Sequence, residues 1–146
     1  MRYLGIDYGK KRTGLSYADG VGVAIPIGPI IVRSGENFWQ QLENVIHGRK
    51  IDTLVVGYPV GMDGDATAWT LLVDRFIGEL IERYALPVHR SDERLTSFQV
   101  ADDLAHYGLR VKRRNIRQQR ETGVDDSRAA TLILQDFLNE LHSGIP

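Results

Sequence analysis

Leu54-Val55-Val56-Gly57 is an apolar run without alternation, and it limits the possible folds more than any other stretch of the chain. A strand that is apolar toward both sides must be covered on both sides, which is the situation inside a parallel sheet. The run ends at Gly57-Tyr58-Pro59 and is followed by the turn-rich Gly61-Met62-Asp63-Gly64-Asp65. Next, Trp69, Leu72, Val73, Phe76, Leu80 and Tyr84 recur at intervals of three and four, the spacing of a helix with one buried face. Leu86-Pro87-Val88-His89 then reads as a short strand. Strand, helix and strand of these lengths form a crossover, so the two strands should run parallel.

The remaining segments add to this core. Tyr3–Tyr8 and Gly14–Tyr17 predict two strands joined by the turn Gly9-Lys10-Lys11-Arg12, an antiparallel hairpin. Val21–Val32 is β-rich but carries Pro26 and Pro29, which cannot donate to a ladder, so it should form an edge strand or contain an irregular stretch. Ser34-Gly35-Glu36 is expected to open a helix bearing Phe38, Leu42, Val45 and Ile46 at helical spacing. Thr96-Ser97-Phe98-Gln99 has capping-box spacing, and the helix it starts should turn Ala101, Leu104 and Ala105 inward and stop at Gly108. A last helix is expected from about Asp125 to about His142. The chain thus reads as one α/β domain over residues 1–146. Its five-stranded mixed sheet should have an antiparallel first hairpin, parallel strands 1, 4 and 5, and flanking helices.

The chain contains no cysteine, which excludes disulfides and thiolate metal sites. No apolar run approaches the roughly 20 residues that span a bilayer, and no secretion signal is visible at the N-terminus, so a cytoplasmic protein with no membrane partner is expected. Arg110, Lys112, Arg113, Arg114, Arg117 and Arg120 cluster without an intervening acid, against a remainder of 12 basic and 19 acidic residues. A mildly acidic body with one flexible basic segment, at about 109–123, suits contact with a phosphate backbone.

Asp7 extends an apolar strand, and a carboxylate among buried positions is costly unless compensated. Ligands of open α/β sheets bind beyond the carboxyl ends of parallel strands. Asp7 at the end of strand 1, Glu93 just beyond strand 5 and an acid opening the last helix all fall there. Of Asp125 and Asp126, the second shares a helix face with Ala129, Ala130, Ile133, Leu134, Phe137 and Leu141. Asp125 is displaced by about 100° and suits an N-cap. Three converging carboxylates favour a hard divalent cation, Mg²⁺ or Mn²⁺. His47, His89, His106 and His142 are scattered and offer no competing metal site.

These residues resemble the YqgF family, the RuvX-type Holliday junction resolvases. Asp7-Tyr8-Gly9-Lys10-Lys11-Arg12-Thr13-Gly14 is similar to the family's Asp-x-Gly-x-x-Arg-x-Gly signature. Val56-Gly57-Tyr58-Pro59 with Met62-Asp63-Gly64, Asp92-Glu93-Arg94-Leu95-Thr96-Ser97, and Asp126-Ser127-Arg128-Ala129-Ala130 with Ile133-Leu134-Gln135 match its other motifs in order. Tyr58 stands where the family usually has Leu, and Gly61 where it has Asn. The resemblance implies an RNase H-like fold and a metal-dependent nuclease, with Asp7, Glu93 and Asp126 catalytic and metal-binding. It also implies a substrate of structured RNA at the 5′ end of pre-16S rRNA, or else branched DNA at a Holliday junction. Lys10, Arg12 and Arg94 would meet phosphates at the rim and the 110–120 cluster would grip the backbone. A monomer suffices for RNA trimming, whereas junction cleavage favours a homodimer. Two rival readings are a nucleotide-dependent phosphotransferase, for which the chain lacks a second closing domain, and a non-catalytic module that recruits nucleic acid or a ribosome-assembly partner.

Overall fold

The computed structural model describes residues 1–31, 37–59, 68–92 and 124–143. They form β1 (Tyr3–Asp7), β2 (Arg12–Ala18), β3 (Ile25–Ile31), α1 (Phe38–Gly48), β4 (Thr53–Tyr58), α2 (Ala68–Tyr84), β5 (Val88–Asp92) and α3 (Val124–Ser143). The sheet has five strands in the order β3-β2-β1-β4-β5. β1 pairs antiparallel with β2, Asp7 opposite Gly14, and parallel with β4, Ile6 beside Val56. β4 pairs parallel with β5, Tyr58 beside Asp92. This is the mixed sheet expected from the sequence. The helix expected from Thr96 to Gly108, the Gly61–Asp65 turn and the 109–123 basic segment lie outside the described residues.

Alternation sorts the strands between two cores. Leu4, Ile6, Leu15, Leu54 and Val56 meet Leu42 and Ile46 of α1 and Val73, Phe76, Ile77 and Leu80 of α2. Tyr3, Ala18 and Val55 meet Ile133, Leu134 and Leu138 of α3. β4 is therefore buried on both faces, as its unbroken apolar run requires. Each fully buried aliphatic side chain contributes about 1.5–3 kcal/mol.

β3 is an edge strand, and its register against β2 shifts between Thr13 and Leu15, opposite the stretch that holds Gly28 and Pro29. Proline's missing donor is tolerated at such a place. Two local details differ from the sequence reading. α1 begins at Phe38 and is capped by Asn37, whose Oδ1 accepts from the Gln40 amide at 3.2 Å; Ser34–Glu36 lie outside the described residues. α3 begins at Val124, so Asp125 occupies its first turn and not the cap.

Candidate nucleic-acid cleavage site

The carboxyl ends of β1, β4 and β5 lie side by side. Asp7 is the last residue of β1, half-buried, at the middle of the sheet between β2 and β4. By strand alternation it shares a face with Tyr3 and Gly5, the face that α3 covers.

Polar contacts seat α3 on that face. Ser16 Oγ donates to the Ala130 carbonyl at 2.7 Å, and Ser127 Oγ donates to the Ile27 carbonyl at 2.7 Å. Gln135 accepts from the Ala24 amide at 3.0 Å and donates to the Gly22 carbonyl at 3.2 Å, holding the segment that leads into β3. Ser91 Oγ donates to the Ile133 carbonyl at 3.4 Å. The Phe137 ring lies 6.1 Å from Tyr3 and 4.9 Å from His89. A Cβ on Gly5 would come 2.8 Å from Leu134 Cβ and 2.9 Å from the Ala130 oxygen. Glycine at position 5 is what allows this approach. The helix therefore runs back along β1, from Phe137 at Tyr3 toward Ala130 at Gly5.

The sequence-derived site residues fall into three groups. Asp7, Lys10 and Arg12 are described: Lys10 is exposed in the β1–β2 turn and Arg12 is the first residue of β2, part-buried. The turn is clasped by Thr13, whose Oγ1 lies 3.4 Å from the Gly9 amide and 3.3 Å from its carbonyl. Asp126 is described only as a position in the first turn of α3. Glu93, Arg94, Arg110, Lys112, Arg113, Arg114, Arg117 and Arg120 lie outside the described residues. Among the described residues no group of three acids and histidines gathers to hold a metal. Asp7, an oxygen donor at the sheet's open end, suits a hard cation by its chemistry.

Two features are absent from the sequence reading. Tyr58, at the end of β4, donates its hydroxyl to Asp74 Oδ2 at 3.0 Å. Arg90 lies over its ring at 5.3 Å and reaches Asp74 Oδ1 at 3.5 Å. Partial burial, then the hydrogen bond and charge of Asp74, push the Tyr58 phenol upward, with Arg90 opposing. The second feature is a cleft of about 370 Å³ lined by aromatic rings from the β1–β2 turn, α1 and α2. Helical periodicity assigns Phe38 and Phe76 to the core and Tyr8 reads as the end of a strand, so only the neighbouring charges at Lys10, Arg75 and Glu79 hint otherwise.

The family model described as "RuvX: Holliday junction resolvase" matches residues 1–140. The "Putative pre-16S rRNA nuclease" of Opitutus terrae is 40% identical over 141 residues, covering 96% of this chain and 92% of that one. The protein of the same name from Oleidesulfovibrio alaskensis is 37% identical over 140 residues, covering 95% and 92%. Among solved structures, the Fowlpox virus resolvase bound to Holliday junction DNA aligns with TM-score 0.55 at 12% identity, covering 97% and 99%. Thermus thermophilus RuvC with its junction substrate aligns with TM-score 0.53 at 14% identity, covering 99% and 97%. At such identities these structures show a shared fold.

Proposed function

Because the chain belongs to the RuvX family, we propose that it is a phosphodiester hydrolase for structured nucleic acid, with the 5′ end of pre-16S rRNA as its substrate. The observation that carries this reading is Asp7 at the carboxyl end of the central strand, on the face covered by α3. The relatives that share 37–40% of their sequence with the chain carry the name of a pre-16S rRNA nuclease, which favours RNA over a DNA junction.

Asp7, Glu93 and Asp126 are assigned as the carboxylates that hold Mg²⁺ or Mn²⁺. Spacing supports the trio. One helical turn rises 5.4 Å and two strand residues span about 6.6–6.8 Å. The step along β1 from Gly5 to Asp7 thus matches the step along α3 from Ala130 to position 126. Position 126 also falls within the arc of α3 bounded by the buried Ile133, Ala130 and Leu134. In sequence, Glu93 directly follows Asp92, the last residue of β5, and Ser91 of that strand donates its hydroxyl to α3. When bound, a divalent ion supplies Lewis-acid activation of the phosphodiester. The chain's own contribution is to orient three acids at one sheet end and to neutralise flanking phosphates. Lys10, Arg12 and Arg94 do so at the rim, and Arg110, Lys112, Arg113, Arg114, Arg117 and Arg120 along the backbone. Such contacts set position without reading sequence.

A Holliday junction is the second substrate, favoured by the description of the matched family. It calls for a symmetric dimer, whereas RNA trimming proceeds in a monomer. None of the helices among the described residues is long and apolar enough to cross a membrane; the cytoplasm, where rRNA matures, is the compartment this reading assigns.

Labelled pre-16S leader RNA and a four-way junction, each incubated with and without Mg²⁺ or Mn²⁺, test the assignment. Metal-dependent cleavage of the leader by the native chain and its loss in Asp7→Asn, with folding intact by circular dichroism, are expected. Cleavage at the native rate in Asp7→Asn would refute it.

A further inference from the structure

Immediately past Asp7 the chain turns to the opposite side of the sheet end, and Tyr8, Gly9 and Lys10 form one wall of the 370 Å³ cleft. That volume is within the range of small-molecule sites. The other walls come from α1 (Phe38 and Trp39) and α2 (Leu72, Arg75, Phe76 and Glu79). Tyr8 stacks on the buried Phe76 with ring centroids 4.2 Å apart and planes 14° from parallel, and Trp39 lies 5.7 Å from the same ring. Trp69 also stacks on Tyr8, 5.8 Å away and 17° from parallel, and Arg83 lies over the Trp39 ring at 4.2 Å, so these two half-exposed rings meet the cleft with only the area those partners leave open. Leu72 is 37% exposed at the rim although it belongs to a helix that buries its apolar face elsewhere.

Charge makes the cleft more specific. Lys10 and Arg75 are exposed at its mouth, and neither has an ion-pair partner among the described residues. Glu79 stands on the same helix one turn on from Arg75. A simple anion site would not carry a carboxylate. A nucleotide uses all three kinds of group: the base stacks on aromatic rings, its phosphates meet the cations, and an acid accepts from the amino edge of the base.

We propose that this cleft receives one unpaired nucleobase of the substrate strand, next to the phosphate presented to Asp7. The base packs against Leu72 and the open parts of Tyr8 and Trp39, its amino edge donates to Glu79, and Lys10 and Arg75 hold the adjoining phosphates. A base locked in a duplex cannot enter, so the cleft selects single-stranded flanks, the usual targets of base-by-base RNA recognition. The assignment rests on the nuclease reading for its ligand and on Asp7 for its place, but not on Glu93 or Asp126.

The test titrates two probes of equal length, a single-stranded RNA and an RNA duplex, into the full chain carrying Trp69→Phe, which keeps an aromatic ring against Tyr8 and is first shown to bind the single strand as the native chain does. Trp39 is then the sole tryptophan, and its fluorescence reports the cleft. The single strand should quench it and bind more tightly than the duplex. Leu72→Glu and Arg75→Ala, both at exposed positions, should each weaken single-strand binding roughly ten-fold or more. An abasic nucleotide beside the scissile phosphate should slow cleavage to a similar extent. Unchanged fluorescence, with equal binding of both probes in the native and Leu72→Glu chains, would overturn the cleft. Cleavage lost in Asp7→Asn would meanwhile keep the nuclease reading. Trp39 quenching by single strands in a chain that cuts neither leader nor junction would sink the nuclease reading instead and leave the cleft standing as a binding site.

Discussion

Gly5 of β1 and Ala130 of α3 meet backbone to backbone: a Cβ at position 5 would lie 2.9 Å from the Ala130 carbonyl oxygen and would collide with Ser16 Oγ. The Ser16 hydroxyl occupies that space and donates to the same carbonyl. Gly5→Ala must therefore push α3 off the sheet or break this bond. The expected cost is about 1–3 kcal/mol, as for other overpacked interiors. Because displacement of α3 also moves its first turn relative to Asp7, cleavage should fall by more than the loss of folded protein explains. Urea denaturation and initial cleavage rates on the same samples check both parts.

Gly78 is the opposite case. It sits in the middle of α2, exposed, and a Cβ there would meet nothing within 4 Å. Glycine inside a helix costs about 0.8–1 kcal/mol relative to alanine. Gly78→Ala should stabilise the chain by about that amount in urea denaturation and leave cleavage unchanged.

The contrast between these glycines shows which kinds of information are local. The topology is legible because the apolar run at Leu54–Gly57 admits only a sheet covered on both sides, and the crossover through α2 then makes its neighbours parallel. Edge placement of β3 follows equally from Pro26 and Pro29. Helix faces are less legible. The buried arc of α2 runs through Val73, Phe76, Ile77 and Leu80, which leaves Leu72 at its margin. Leu141 reads as core on α3 but is 48% exposed, because Phe137 already lies over Tyr3, the first residue of β1, and the helix outruns the sheet. Asp7 stands out in the sequence because an acid interrupts an apolar strand. The aromatic cleft does not, since a ring that lines a cavity and a ring that fills a core recur with the same helical period.

Gly9 bears on the turn that carries Lys10. A Cβ on it would strike the Arg12 carbonyl, and its amide and carbonyl both face Thr13 Oγ1. Gly9→Ala should reshape the turn without touching either core. Stability is expected to change by about 1 kcal/mol, the scale of a lost hydrogen bond, while affinity for nucleic acid drops several-fold. Affinity measured alongside thermal unfolding separates the two. An undiminished affinity would argue that the turn makes no phosphate contact.

Tyr58 has a consequence for alkaline stability. Partial burial and the bond to Asp74 raise its folded-state pKa above the ordinary value of 10.0. A raised pKa contributes stability that is fully present below the unfolded value and is lost as pH rises through the folded one. Tyr84 shifts in the same direction through burial and the charge of Glu43. Native stability should therefore sag above about pH 10, the unfolded tyrosine value. Tyr58→Phe should flatten part of that sag while losing the Asp74 bond near neutrality. Urea midpoints taken from pH 8 to pH 11 in both chains provide the comparison; parallel curves would show that Tyr58 ionises as freely folded as unfolded.

The basic cluster from Arg110 to Arg120 gives the last prediction, which depends on charge alone. A protein that neutralises phosphates releases their counterions, so the logarithm of affinity falls linearly with the logarithm of salt concentration. The slope is about −0.7 per contact on single strands and about −0.9 on duplex DNA. Replacing Arg113 and Arg114 by alanine should weaken binding to unrelated sequences alike, because backbone contacts position without specifying. If both residues touch phosphate, the slope should become shallower by about 1.4 on single-stranded RNA. A slope unchanged by the double substitution would mean that these two arginines do not contact the strand, and would leave the electrostatic grip to the chain's other basic residues.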